Sequence, residues 1–247
     1  AVEDVAVKRN APELLEAALE KERSRGMIGT GSMCDPYLPL ENTERLTRRC
    51  LEIIDRMGFG FTVITKSDGV LRDLDLLKSV NKRARAVVQM TLTTYDEDLC
   101  RILEPNVCTT ARRVETLAIL KDAGIDTVVW LCPILPFIND DVGNMTGILK
   151  DCFDVGVSGV LSFGMGVTLR EGNREYFYRQ LDSHFPGMKQ RYMRQFGNRY
   201  ACESPEAAAL SRLFHSACAD RGVLHDPGEI FAYLRAFGEG REQLRLF

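Results

Sequence analysis

Apolar positions recur along this chain with two spacings, and the switches between them outline its elements. Met27 and Ile28 lead into Gly29, Thr30, Gly31 and Ser32, small residues that let backbone approach a ligand closely, and Pro36 and Pro39 then forbid ordinary helix or ladder structure. Met27 to Glu41 thus reads as a strand ending in a ligand-facing loop. Asn42 to Met57 carries a helical pattern, so the unit is strand, loop, helix, with the loop at the carboxyl edge of a sheet, where α/β proteins bind ligands. Upstream, Val2, Val5 and Val7 form a short apolar segment, and Asn10, Pro12, Leu14, Leu15, Ala18 and Leu19 predict a helix ending near Gly26.

The rhythm then repeats. Gly58 and Gly60 turn the chain into a buried strand, Phe61, Val63 and Ile64, which closes on Thr65, Lys66 and Ser67. A helix carrying Leu71, Leu74, Leu77 and Val80 follows, then a strand from Ala86 to Leu92 ending in Thr93 and Thr94. Ala111 to Ala123 predicts a helix stopped at Gly124, and Val128 to Leu131 a strand broken by Pro133, Pro136 and Asn139. Val142 to Val155 is helical, and Val160 to Phe163 is the last strand, running into Gly164, Met165 and Gly166. Five strands with long connections specify a parallel sheet with helices outside it. A polar loop after every strand favours a full or partial TIM-like barrel over a doubly wound sheet with one switch point. The expected division is a barrel over 1–168 and a C-terminal cap or extension over 169–247, rich in aromatics (Tyr176, Phe177, Tyr178, Phe185, Tyr192, Phe196, Tyr200) and containing a helix from Glu206 to Arg221.

Composition narrows the function only modestly. The 247 residues can bury one large core, and 32 basic against 35 acidic residues give a net charge of −3, with no bulk attraction to nucleic acid. No apolar run is long enough for a bilayer and no secretory leader is seen, so a cytoplasmic protein without a membrane partner is expected. The 8 cysteines are scattered singly, with neither a CxxC pair nor a zinc spacing, and read as reduced thiols.

Among candidate groups, Lys66 at a strand end between two hydroxyl residues suits a carboxylate or phosphate as a point charge, with Thr65 and Ser67 as donors; a surface lysine is the equal alternative. Thr91 and Thr93 share one strand face, the interior of a barrel, although threonine also packs well in strands. Asp35 and Glu41 could pair as acid and base, but capping of helices or backbone amides is the commoner use, and Glu104 before Pro105 likewise precedes a helix. His184, His215 and His225 all fall in the tail without metal-ligand spacing. Neither a G-x-S-x-G elbow nor a P-loop motif occurs.

Taken in order, GTGSMCDPYLPLE, LTRR, ITKSDGVLRDLDLL, the TLTT strand end, RILEP, PILPFIND and FGMGVTLREGNREYFYRQLD resemble the spore photoproduct lyase-like branch of the radical S-adenosylmethionine proteins, often labelled DNA repair photolyases. The similarity runs from about Val7 to the end of the chain. It implies a partial barrel of six βα units that binds S-adenosylmethionine across its strand ends. A 4Fe-4S cluster would hold the methionyl group, pass on one electron from an external donor and release a 5′-deoxyadenosyl radical that abstracts hydrogen from a substrate, a nucleic-acid lesion or something unrelated. By position, the resemblance assigns Gly31 and Ser32 to the methionyl amino group, Lys66 to its carboxylate, Thr91 to the same neighbourhood and Pro133 to the adenine pocket, with Ser67 and Thr93 beside them.

One departure is large. The family holds its cluster with a C-x-x-x-C-x-x-C triplet after the first barrel strand, and no such triplet occurs here. The expectation is that the chain begins just after that strand and loop, lacks the metal ligands, and as written does not make the radical. Two other readings stay open: a non-catalytic nucleotide or nucleic-acid binding protein on the same barrel, and a barrel enzyme that binds a phosphorylated metabolite. Oligomeric state leaves no mark in the sequence.

Overall fold

The computed structural model describes residues 6–237, so Val2 and Val5 of the expected opening segment lie outside the described residues. Strands β1 (Met27–Thr30), β2 (Gly60–Thr65), β3 (Ala86–Leu92), β4 (Asp126–Leu131) and β5 (Gly159–Leu161) form one parallel sheet in that order. The order runs monotonically with no reversal, which is the winding of a barrel wall rather than of a doubly wound sheet. Beyond β5, Leu224 adds a single parallel bridge at Gly159. All five expected strands are present, and their carboxyl ends lie along one edge.

Helices cover the convex side. They are α1 (Ala11–Leu19), α2 (Glu41–Glu44), α3 (Leu46–Met57), α4 (Leu74–Arg83), α5 (Glu97–Leu103), α6 (Thr110–Asp122) and α7 (Val142–Val155), with a 3-10 segment over Asp68–Asp73. Phe61, Val63, Val88, Met90, Val129, Leu131 and Val160 pack on this side against Leu51, Ile54, Leu77, Leu117, Leu120 and Ile148 in one core. Each such fully buried aliphatic or aromatic side chain contributes about 1.5–3 kcal/mol by leaving water.

Two local differences from the sequence expectation have physical causes. The helix expected over 42–57 is divided at Arg45, which sits at φ +50°. Glu41 Oε1 accepts from the backbone N–H groups of Thr47 (3.0 Å) and Arg48 (3.3 Å), so a carboxylate six residues upstream satisfies the first turn of α3 and makes a fresh start there stable. The second is α5, which the apolar pattern does not announce. Asp96 caps it by accepting from Leu99 N–H at 2.7 Å, and only Cys100 in it is buried.

The chain after β5 contributes in three places. β6 (Gly166–Thr168) and β7 (Ala201–Glu203) pair antiparallel, and with α8 (Asn173–His184) and α9 (Met188–Phe196) they enclose a small aromatic core of Leu169, Leu181, Tyr192 and Phe196. α10 (Ala207–Asp220) instead joins the main core through Leu210, Phe214 and Cys218. α11 (Pro227–Arg235) crosses the concave face, where Ile230 and Leu234 cover Val87, Val128 and Leu161. No helix among the described residues is long and apolar enough to cross a membrane.

Candidate functional site

The concave face of the sheet carries a polar row above the layer covered by α11. Gln89 Nε2 donates to Thr62 Oγ1 at 2.8 Å, and Trp130 Nε1 donates to Gln89 Oε1 at 2.7 Å, which joins three neighbouring strands side chain to side chain. Trp130 also contacts Phe163 at 5.5 Å between ring centroids, in a tilted geometry favourable to aromatic pairs. The row closes the floor on which the strand ends stand.

At the end of β2, Lys66 Nζ lies 2.6 Å from Glu104 Oε1 as an ion pair. The other carboxylate oxygen of Glu104 accepts from Thr93 Oγ1 at 2.8 Å and from Arg113 Nη1 at 2.7 Å. Arg113, on α6, is wholly buried; it also donates to the carbonyls of Thr91 (3.0 Å) and Cys108 (2.9 Å), while its Nη2 has no partner among the described residues. Burial pushes the Glu104 carboxyl up, but the neighbouring charges of Lys66 and Arg113 outweigh it and hold the group below the usual carboxylate range. Glu104 therefore stays anionic, with one cation fixed beneath it and one at the rim. The side chain of Lys66 is 35% exposed, so its ammonium is the part of this cluster that an incoming ligand can reach.

The loops around this cluster are held by side chains rather than by regular structure. Asp35 accepts from Tyr37 N–H (2.9 Å), Lys66 N–H (2.7 Å) and Thr65 Oγ1 (2.8 Å), fastening the loop after β1 to the end of β2. Asn139 Nδ2 and Asn144 Nδ2 both donate to the Thr93 carbonyl (2.8 and 3.1 Å), and Asn144 Oδ1 accepts from Tyr95 N–H, which fastens the loop after β3 to the loop after β4. Asp35 and Glu41 thus act on backbone amides and do not meet as an acid and base pair.

The residues proposed from sequence fall into distinct positions. Lys66 and Thr93 meet at Glu104, and Thr91 joins them through its carbonyl; its hydroxyl has no hydrogen-bond partner among the described residues. Ser67 begins the 3-10 segment by accepting from Gly69 N–H at 3.1 Å. Gly31 stands at φ +95°, and a Cβ there would lie 2.0 Å from the Ile64 carbonyl oxygen, so the glycine lets the loop press onto β2. Ser32 is exposed on the same loop. Pro133, after a cis peptide bond, lines a groove of about 590 Å³ with Cys132, Phe163, Gly164, Met165 and the β6–β7 ribbon. Cys132 lines the groove; burial raises its thiol, the Lys66 charge opposes that rise and the Glu104 charge adds to it. Burial also raises Cys108, so neither thiol near the site is primed as a thiolate nucleophile.

Arg113 stands in no local motif, and Glu104 reads from its sequence position only as a carboxylate preceding a helix. The signal for Arg113 was present in its spacing, since it precedes the buried Leu117 and Leu120 by four and seven residues and so belongs to the inward stripe of α6. A cluster-binding centre is not supplied by these residues: among those described, no three His, Cys, Asp or Glu side chains converge as metal ligands.

Comparison with known proteins adds context. No family model matches the chain. An uncharacterized protein of Methanocaldococcus jannaschii is 33% identical over 136 residues, which is 55% of this chain and 49% of that protein. A protein of Pseudomonas phage M6 named radical SAM Nalpha-GlyT isomerase is 24% identical over 143 residues, 57% of this chain and 29% of the phage protein. Streptococcus suis SuiB bound to S-adenosylmethionine superposes with a TM-score of 0.40 and 11% identity, over 73% of this chain and 40% of SuiB. The chain spans about half the length of the first relatives it matches.

Proposed function

We propose that this chain is the S-adenosylmethionine-binding wall of a radical S-adenosylmethionine enzyme, of the spore photoproduct lyase-like branch whose motifs it resembles. The observation that carries the reading is that the carboxyl edge of one sheet bears both a rim ammonium, on Lys66 after β2, and a groove of about 590 Å³, lined by Pro133 and Phe163 after β4 and β5. An amino-acid carboxylate suits the first, and a planar, partly apolar base suits the second. The similarity to a phage protein of radical S-adenosylmethionine name supports the same class.

In this reading Lys66 Nζ takes the methionyl carboxylate, and the Thr91 hydroxyl, which has no hydrogen-bond partner among the described residues, turns toward the same group. Thr93 and Ser67 act beside them, Thr93 by orienting Glu104 and Ser67 by fixing the backbone that follows Lys66. Gly31 and Ser32 place the loop after β1 where the methionyl amino group would lie, and Pro133 bounds the adenine. S-adenosylmethionine held by these residues would supply hydrogen-abstraction chemistry once one electron from a 4Fe-4S cluster cleaved its sulfonium, with methionine as the leaving group. The cluster's ligands belong in this reading to another part of the whole protein, as does the docking point of an electron donor.

The test has two stages. Calorimetric titration of this chain with S-adenosylhomocysteine should show binding that Lys66→Ala weakens at least tenfold, about 1.4 kcal/mol. The whole gene product, purified without oxygen, should contain iron and sulfide and release 5′-deoxyadenosine under dithionite, with release lost in Lys66→Ala while the cluster remains. A folded chain without affinity for the nucleoside ligand refutes the reading; affinity without cleavage in the whole protein leaves a binding protein on this barrel.

A further inference from the structure

Lys66 is not a solitary cation awaiting an anion. Its ammonium already has a carboxylate at 2.6 Å, and that carboxylate is only 9% exposed and is tied from behind by Arg113 and Thr93. Any anion that reaches Lys66 must approach a fixed negative charge at the same time. Resting on the site proposed above, we propose that Glu104 is a specificity-determining residue, which lets the strand-end site accept a singly charged carboxylate and discriminates against doubly charged phosphate.

The discrimination is electrostatic and depends on a difference in ligand charge. Coulomb repulsion from one fixed charge scales with the charge of the incoming group, so Glu104 opposes a dianion about twice as strongly as a monoanion at the same place. Glu104 is kept from swinging away by its other oxygen, Oε2, which stays bound to Arg113 and Thr93 whatever Lys66 does. Two other charges near the rim do not offset the effect. Asp35 directs its oxygens to backbone N–H groups and Thr65, and Asp68 is paired with Arg112 at 2.8 Å. Arg113 contributes a compensating positive charge from below, yet it is wholly buried and has its Nη1 committed to Glu104 and the Thr91 carbonyl, so Lys66 is the group that touches the ligand. A bare lysine between hydroxyl residues would be a general anion site, whereas a lysine backed by this carboxylate is a selective one.

The experiment measures the ratio of dissociation constants for inorganic phosphate and S-adenosylhomocysteine at pH 8, in this chain and in Glu104→Gln. Gln keeps the shape and removes the charge. The ratio should fall about tenfold in the variant, because phosphate gains more than the carboxylate ligand does. A ratio reports charge discrimination independently of the folded fraction, since partial unfolding weakens both ligands alike. Lys66→Gln gives a second reading in which the sign reverses: phosphate binding is lost more than nucleoside binding, and the ratio rises. An unchanged ratio in either folded variant overturns the proposal. If the unaltered chain binds phosphate but no S-adenosylhomocysteine, the proposed function fails by itself and the role of Glu104 is overturned with it as stated; binding of both with a ratio indifferent to Glu104 leaves the function standing and removes only this inference.

Discussion

Replacing Arg113 by methionine probes the foundation on which Lys66 and Glu104 rest. Methionine approximates the length of the side chain, so the cavity contribution is small and the loss is chiefly of polar contacts. Three go: the bonds to Glu104 (2.7 Å), to the Thr91 carbonyl (3.0 Å) and to the Cys108 carbonyl (2.9 Å). All three have a charged donor; at about 1.5 kcal/mol for each neutral acceptor and about 2 kcal/mol for the carboxylate the loss is about 5 kcal/mol, and removal of the unpartnered Nη2 of a charged group returns about 2 kcal/mol. The net of about 3 kcal/mol lies at the low end for breaking a buried ion pair, as it should when Lys66 still neutralises Glu104. It corresponds to a fall in Tm of about 6–12 °C for a chain of this size. The single tryptophan, Trp130, lies on β4 beside the β3 strand that Arg113 grips, so urea unfolding followed by its fluorescence reads the change directly. A loss under about 1 kcal/mol would refute the reasoning and show that the cluster's bonds are replaceable at no cost. Arg113→Met combined with Glu104→Gln should cost less than the two separate losses together, because each removes the other's reason for being buried.

Two further outcomes follow from the same geometry. The Glu104 carboxyl is held below its unfolded value of about 4.3; its contribution to stability is complete above that value and is lost as pH falls through the folded value, so Tm should drop on acidification below about pH 4 with a slope that Glu104→Gln makes shallower. An equal slope in the variant would assign the acid limb to other carboxylates. Gly31→Ala places a Cβ 2.0 Å from the Ile64 carbonyl oxygen at a φ of +95°, and should destabilise by at least about 2 kcal/mol and raise hydrogen exchange across residues 32–37, measured by mass spectrometry. Unchanged exchange and Tm would mean the loop has room that these distances deny.

The strands were legible because each is a short run of apolar residues with turn formers on both sides, and β3, buried along all seven positions, is the clearest. Lys66 and Thr93 were legible because they stand where such runs stop, and Thr91 because it shares a strand face with Thr93. What the chain withheld was partnership. Glu104 reaches Lys66 only because α5 and the loop after it carry residue 104 back over the end of β2, and nothing in the local pattern around Pro105 states that return. Arg113 was hidden for a related reason: an arginine on an inward helical stripe contradicts the usual burial preference until its carboxylate is known. The division at Arg45 was illegible because a side chain six residues before Thr47 supplies the cap, outside the spacing that ordinary capping patterns cover.

The fastenings made by Asp35, Asn139 and Asn144 sort the strand-end loops into two jaws. One jaw is the loops after β1 and β2, the other the loops after β3 and β4, and the sheet beneath is continuous through β2 and β3. What spans the mouth is a clasp of few contacts: Lys66 to Glu104, Cys108 Sγ to the Lys66 carbonyl, and Arg112 to Asp68. A ligand that draws the Lys66 ammonium toward itself therefore loosens the clasp while it fills the mouth. Aperture is then expected to follow occupancy, and a pair of distance labels set on the two jaws would read that coupling in solution, or its absence.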